Sequence, residues 1–238
     1  MGEPLSGSNS NKVWRYITEG KVRQRADETT EGAAPRIVTN PKTGENKTVY
    51  ELVYDYVEGY ITKIEMYKDD FNTELIETTI YNQDDDQYRV LKIKLNSGYG
   101  SKFFELIPNV NMKEPVRIFP YSFTNKEKKV IIGLNIYQPK DTLDLKFEKK
   151  IEKKWTKENP GDVPSFDPDD IDQWKLDIKK FHKNYLTKNV IPNVLERPWE
   201  EDGKELFPNG EDIPEEKSAK EKALEQKIDD DVEDDLPF

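Results

Sequence analysis

Apolar and polar side chains alternate along most of the first 140 residues. In residues 87–95, Leu91, Ile93 and Leu95 fall on one side of an extended chain, and Lys92 and Lys94 fall on the other. A period of two residues, rich in β-branched and aromatic side chains, is typical of strands with one buried face. The pattern predicts strands at 12–18, 21–26, 36–40, 47–68, 73–81, 87–95, 115–123 and 129–138.

Short polar segments separate these predicted strands. Glu19-Gly20, 82–86 and 124–128 indicate hairpin connections, and Gly59 lies inside the longest run, where a bend lets a strand curve. A helix is predicted at 98–108, between two hairpins. No repeated alternation of strand and helix is present, which argues against a doubly wound sheet. These strands and the one helix between hairpins favour a mainly β fold, a small Greek-key barrel that is closed or half-closed, at 12–138.

A second helix is predicted beyond the strands. Asp167 suits the N-cap, and Pro168 suits the first helical position. We therefore predict a helix at about 168–188 that packs on the barrel, within a linker region at 139–198. Its apolar stripe, with members three or four residues apart, consists of Ile171, Trp174, Ile178, Phe181 and Tyr185.

The charge of the chain is concentrated at one end. Hydrophobic residues make up 34% and charged residues 36% of the chain, so part of it is not expected to pack. Residues 1–150 contain 23 basic and 23 acidic side chains, whereas 211–238 contain 4 basic and 12 acidic ones. We predict a disordered leader at 1–11 and a disordered acidic tail at 199–238. A body without net charge can still carry a local basic groove.

Several classes of chemistry lack the residues that they need. The chain has no cysteine and a single histidine, His182, and it contains no phosphate-binding glycine loop. Asp84-Asp85-Asp86 offers carboxylates for a metal, but a solvated hairpin loop explains them as well. We therefore predict a non-enzymatic protein with no cofactor and no metal. No apolar run is long enough to span a bilayer, so a cytoplasmic location without membrane contact is expected.

The last residues combine clustered carboxylates with an apolar tip. Asp234 and Asp235 precede Leu236, Pro237 and Phe238. A terminal phenylalanine offers a ring for an apolar pocket and a carboxylate for a basic neighbour, and proline lowers the ordering cost of docking. A solubilising acidic run alone would not need such a tip.

This tip resembles the terminus of bacterial single-stranded DNA-binding proteins and of their counterparts in tailed bacteriophages. In those families an OB-fold core binds DNA, and an acidic disordered tail ends in Pro-Phe or a related apolar tip. The resemblance implies an OB-type barrel and single-stranded DNA as ligand. It also implies that Asp234, Asp235, Leu236, Pro237 and Phe238 recruit replication, recombination or repair proteins. The lack of cysteine excludes the phage subtype that carries a structural zinc.

Strand alternation gives candidates for the DNA contacts. Binding without sequence preference needs cations along the phosphates and aromatic faces for the bases. Both types of residue occur on the predicted outward faces, although strand propensity and cross-strand packing also favour aromatic residues there. The candidates are Trp14, Tyr16, Arg23, Arg25, Tyr88, Lys92, Lys94, Arg117, Phe119, Tyr121 and Tyr137.

Two other functions remain open at this point. An assembly factor whose acidic tail mimics DNA would have no DNA affinity of its own. A nuclease or recombination accessory enzyme would use the barrel only for targeting and would show metal-dependent turnover.

Trp14 and Phe119 have an alternative role as well, since the helix at 168–188 could cover them and bury their rings.

Overall fold

A computed structural model describes residues 12–40, 43–140, 146–156 and 158–195, together with the backbone of 200–201 and 204–205. The predicted leader, 1–11, lies outside the described residues. So do the predicted tip, Asp234 to Phe238, and all of the tail except those four backbone positions.

Ten strands form one sheet, in which every neighbouring pair is antiparallel except β1 and β7. The alternation of apolar and polar residues explains these strands, because it gives each strand one apolar face that can be buried. They are β1 (Lys12–Thr18), β2 (Lys21–Ala26), β3 (Ala34–Thr39), β4 (Asn46–Tyr54), β5 (Val57–Lys68), β6 (Glu74–Asn82), β7 (Gln87–Lys94), β8 (Val116–Thr124), β9 (Val130–Gln138) and β10 (Lys149–Lys150).

The strand order contains a Greek key. It runs β10-β9-β8-β5-β6-β7-β1-β2-β4-β3. Strands β5, β6 and β7 follow one another as a meander, and β8 returns to lie beside β5, which is the order that defines a Greek key. The helix α1 (Gly98–Leu106) connects β7 to β8. Strand β1 extends the sheet beyond β7 through a parallel ladder, with Trp14 opposite Val90.

The sheet curls strongly but stays open. Gly20, in the β1–β2 turn, has φ +75°, and a Cβ there would lie 2.4 Å from the backbone N of Ser122. The turn thus packs against β8, although β2 and β8 are not neighbours in the sheet. No ladder joins these two strands in the part of the chain that the structure describes. The mainly β prediction is confirmed. The hydrogen-bonded ladders between the described strands leave the sheet open and do not close it into a barrel.

The long run at 47–68 is two strands, not one bent strand as predicted. It breaks at Asp55 and Tyr56 because β4 pairs with β2 and β3, whereas β5 pairs with β6 and β8. Gly59 has φ +135° and no room for a Cβ, which would lie 2.1 Å from the Tyr81 carbonyl oxygen. The register shift lies further on, between Ile61 and Lys63.

The core lies on the concave face of the curled sheet. α1 covers it with Phe103, which is fully buried. Ser97 caps this helix by accepting the Gly100 N–H, as short polar side chains do at helix starts. The fully or almost fully buried strand residues include Ile61, Ile64, Ile76, Ile80, Leu91, Ile93, Val116, Ile118, Leu134 and Ile136.

The second helix, α2 (Ile171–Tyr185), begins later than predicted. Asp170, rather than Asp167, is the N-cap and accepts the Gln173 N–H. Asp167 instead accepts the Asp169 N–H in a turn before the helix. The predicted stripe packs only in part, because no residue of α2 is fully buried and Ile171 is exposed.

Two kinds of contact hold α2 in place. Lys179 and Lys183 both pair with Glu74 at the start of β6. These bonds hold the pKa of Glu74 at about 2, although burial opposes them. On the other side, His182 stacks on Phe104 of α1 at 5.0 Å between ring centres. The chain continues through a π-helical turn at Leu186–Val190, whose first and last side chains join the core.

The second unit of the chain begins at Trp199, and only four of its backbone positions are described. Within it, β11 (Glu200–Glu201) pairs with β12 (Lys204–Glu205) as a short antiparallel ladder. No helix among the described residues has both the length and the apolar character that crossing a membrane requires.

Candidate nucleic-acid interface

An open groove of about 580 Å³ lies on the outer face of β8 and β9. Six of the nine residues that line it are aromatic, two are cationic and one is an amide. We call it the aromatic groove. Its lining residues are Tyr56, Arg117, Phe119, Tyr121, Phe123, Asn135, Tyr137, Phe147 and Lys150.

Strand alternation places most of these side chains on one face. Ile118 of β8 is buried in the core, so Arg117 and Phe119 on either side of it point outward. The β8–β9 ladder sets Tyr121 opposite Gly133. A Cβ at Gly133 would lie 2.5 Å from the Tyr121 hydroxyl oxygen, so glycine leaves the space that this ring occupies.

The rings are accessible and form two neighbouring pairs. Tyr56 and Phe119 are stacked with centres 6.4 Å apart and planes 24° apart. Further along β8, the Tyr121 and Phe123 centres are 5.9 Å apart. Phe119 is 37% exposed and Phe123 is 54% exposed, which is unusual for phenylalanine on a folded sheet. The helix α2 therefore does not cover Phe119, contrary to the alternative drawn from the sequence.

The groove is only weakly basic. The Arg117 guanidinium lies 4.3 Å from the centre of the Tyr56 ring and 4.5 Å from that of Phe147. It also pairs with Glu58 at 2.7 Å, which offsets part of its charge. Lys150, on the edge strand β10, is exposed. Rings thus outnumber cations, and stacking is the main interaction that this surface offers.

A second aromatic and cationic surface lies on the outer face of β1 and β7. The Trp14 side chain is 50% exposed, so α2 does not cover it either. The Lys92 ammonium lies 4.4 Å from the centre of the Trp14 ring and 5.8 Å from that of Tyr67. Lys94 is exposed on the same face, and Tyr88 packs on Tyr81 with ring centres 5.0 Å apart.

Arg23 and Arg25, two of the predicted DNA contacts, belong to a cluster around one buried carboxylate. Both pair with Glu51, whose side chain is completely buried. Arg36 donates two hydrogen bonds to the same carboxylate, and the Tyr16 hydroxyl donates another. A buried carboxylate needs such partners, and it offsets one of the three positive charges around it.

The pKa values in this cluster reflect the same competition. Burial alone would raise the pKa of Glu51, but the hydrogen bonds from Arg36 and Tyr16 outweigh it and hold the pKa at about 2. Burial and the bond to Glu51 raise the pKa of Tyr16 above its usual value. Arg15, on the opposite face of β1, is 7% exposed and lies over the Tyr54 ring at 4.1 Å.

The structure groups the predicted DNA-binding residues into three sets. Arg117, Phe119, Tyr121 and Tyr137 line the aromatic groove. Trp14, Lys92, Lys94 and Tyr88 share the outer face of β1 and β7, and the remaining three belong to the Glu51 cluster.

Five lining residues were missing from the prediction. Phe123 and Asn135 follow from the alternation already used for Phe119 and Tyr137, so the signal for them was present. Tyr56 lies between two strands, and Phe147 and Lys150 belong to a segment that the sequence assigned to a linker. No local pattern indicates that these three reach the groove.

Comparison with protein-family models, curated proteins and solved structures finds no match to this chain. Within the described ranges, no group of three or more His, Asp or Glu side chains is placed to hold a metal ion.

Proposed function

We propose that this protein binds single-stranded DNA in the aromatic groove without reading its sequence. One observation carries the proposal: six rings, an arginine, a lysine and an amide line one open groove, and none of these nine residues is acidic. Every base has a face that can stack on an aromatic ring, so such a surface accepts any sequence. Duplex DNA keeps its bases stacked inside and cannot use the rings in this way.

The arrangement assigns each group a role. Phe119 and Phe123 present exposed rings to the bases, and each stacked base contributes about 1–3 kcal/mol. Arg117 and Lys150 contact phosphates from the side of the groove. With only two cations in the groove, binding weakens gently with salt, at about −0.7 in log K per log salt for each phosphate neutralised.

The topology supports an OB-like assignment for β5 to β9. A Greek key with a helix between its third and fourth strands, followed by a fifth strand, matches a five-stranded and partly open barrel. In this assignment the open side lies between β9 and β7, the two outer strands of this group. Strands β1 to β4 are then an addition to the barrel.

The acidic segment at 211–238 has a second role in the proposal. Its carboxylates and the tip at Leu236, Pro237 and Phe238 dock on basic, apolar pockets of replication, recombination or repair proteins. Tethering to coated DNA raises the effective concentration of those partners. Sequence pattern alone supports this role, since the segment lies outside the described residues.

Fluorescence anisotropy of labelled oligo-dT tests the proposal. The full chain and a version that ends at Asn209 are titrated over a salt series. We expect salt-sensitive binding by both, equal or tighter for the shortened chain because it lacks the acidic segment. Absence of binding by either at low salt would refute DNA binding and favour the acidic-tailed assembly factor. Equal affinity for duplex DNA would refute the preference for single strands.

A further inference from the structure

A second stacking surface lies at some distance from the aromatic groove. We call Trp14, Tyr67 and Lys92 the Trp14 platform. Its indole is half exposed, and the Lys92 ammonium lies over that ring. Trp14 shares the outer face with its ladder partner Val90, which is buried, and half of the indole nonetheless stays exposed. A large exposed ring held beside a cation is the combination that binds a base and its phosphate.

The β1–β2 hairpin connects the platform to the groove. Along β1 the outward side chains are Trp14, Tyr16 and Thr18, and the turn at Gly20 follows. This turn packs against the backbone of Tyr121 and Ser122. Six residues at about 3.3 Å each place the platform roughly 20 Å from the end of the groove.

The charges along this route suit a phosphate backbone. Arg23, Arg25 and Arg36 face outward around Glu51, and Glu19 pairs with Arg23. Three guanidinium groups thus meet two carboxylates, which leaves a positive balance between the two surfaces. Lys94 adds an exposed cation beside the platform, while Glu77 lies opposite Lys92 on β6.

We propose that one DNA strand occupies both surfaces, leaving the aromatic groove at the β1–β2 turn and stacking a further base on Trp14. This inference rests on the proposed function and adds a second contact to it. A short strand fills the groove only, and a longer strand reaches Trp14. The number of nucleotides covered per protein is therefore set by the distance between the two surfaces.

Tryptophan fluorescence and anisotropy, measured with oligo-dT of about 4 and about 20 nucleotides, test the inference. The probe is Trp14 in the full chain, and W14F is the matched variant because it keeps a ring on the strand. We expect the long strand to quench the wild type and the short one to leave it unquenched. W14L, which removes the ring, should weaken the long strand about 5- to 100-fold and leave the short one unchanged.

The outcomes separate the two claims. Failure of every length to bind refutes the proposed function and this inference together. Binding of both lengths refutes the inference alone if W14F retains the full quenching or if W14L weakens the short strand as much as the long one. Denaturant unfolding of W14L shows whether the variant is folded, and W14F supplies the same test if it is not.

Discussion

At the scale of single residues, Glu51 shows how a buried charge organises its surroundings. Its side chain has no contact with water and collects hydrogen bonds or ion pairs from Tyr16, Arg23, Arg25 and Arg36. Together with Glu51 itself, these partners come from four neighbouring strands, so the carboxylate ties β1, β2, β3 and β4 together. Removing one member of such a cluster leaves the others unbalanced.

We predict that Glu51→Gln lowers the free energy of unfolding by about 3 kcal/mol, the lower part of the range for buried partners, because the arginines keep some contact with water. Urea denaturation at neutral pH measures this loss of stability.

The pKa of Glu51 falls from 4.5 in the unfolded chain to about 2 in the fold. Its stabilisation is therefore present above pH 4.5 and is lost as the pH falls through about 2. If Glu51→Gln lowers the free energy of unfolding by less than about 1 kcal/mol at neutral pH, Glu51 does not hold these strands together.

Phe119 carries the stacking argument at the same scale. We predict that Phe119→Leu weakens oligo-dT binding about 5- to 100-fold, which corresponds to one lost stacking contact. Phe166→Leu is the matched control, since Phe166 is also an exposed ring but packs on Trp174, outside the groove. Anisotropy titrations measure both variants. Equal affinity of the two would show that the groove does not stack bases.

At the scale of elements, the β1–β2 turn packs tightly against β8. Two features require glycine at position 20: its φ is positive, and the backbone of β8 leaves no room for a Cβ. Gly44 has a similar φ of +72°, and no atom lies within 4 Å of the place that a Cβ would take, which makes it a natural comparison. The two positions separate the cost of the backbone conformation from the cost of the close approach.

We predict that Gly20→Ala destabilises the protein by about 1–3 kcal/mol more than Gly44→Ala, because only the first adds an overpacked contact. Both share the cost of a left-handed residue with a Cβ, about 1–2 kcal/mol. Thermal or urea unfolding of the two variants measures the difference. Similar destabilisation by both would mean that the turn does not press against β8.

His182 lies at the contact between α2 and α1, and it should make the free energy of unfolding depend on pH. Burial lowers the pKa of His182 below 6.5, with Glu105 opposing the shift. The unfolded chain then binds more protons than the fold as the pH falls below 6.5, so stability declines there, by at most about 1.4 kcal/mol per pH unit. His182→Phe should remove this decline between pH 7.5 and 5.5, as measured by urea unfolding. The chain has no other histidine to produce it.

At the scale of the whole molecule, local pattern predicted the strands but not every pairing between them. Alternation located the strands and separated Arg117, Phe119 and Tyr121 from the core, because side-chain direction follows directly from extended geometry. The break at Asp55 and the reach of Phe147 depend on which strands pair, and pairing over long sequence distances leaves no local trace. The pairing of Arg23 and Arg25 with Glu51 could not be predicted for the same reason, since Glu51 is distant in sequence.

In the proposed function, single-stranded DNA lies on the outer face of β8. Photocrosslinking with an oligo-dT in which bromodeoxyuridine replaces some thymidines, followed by mass-spectrometric mapping of the attached peptides, tests this placement. We expect saturable crosslinks in the peptide that carries Phe119, Tyr121 and Phe123. Crosslinks confined to other peptides, with the β8 peptide unmodified at saturation, would contradict it.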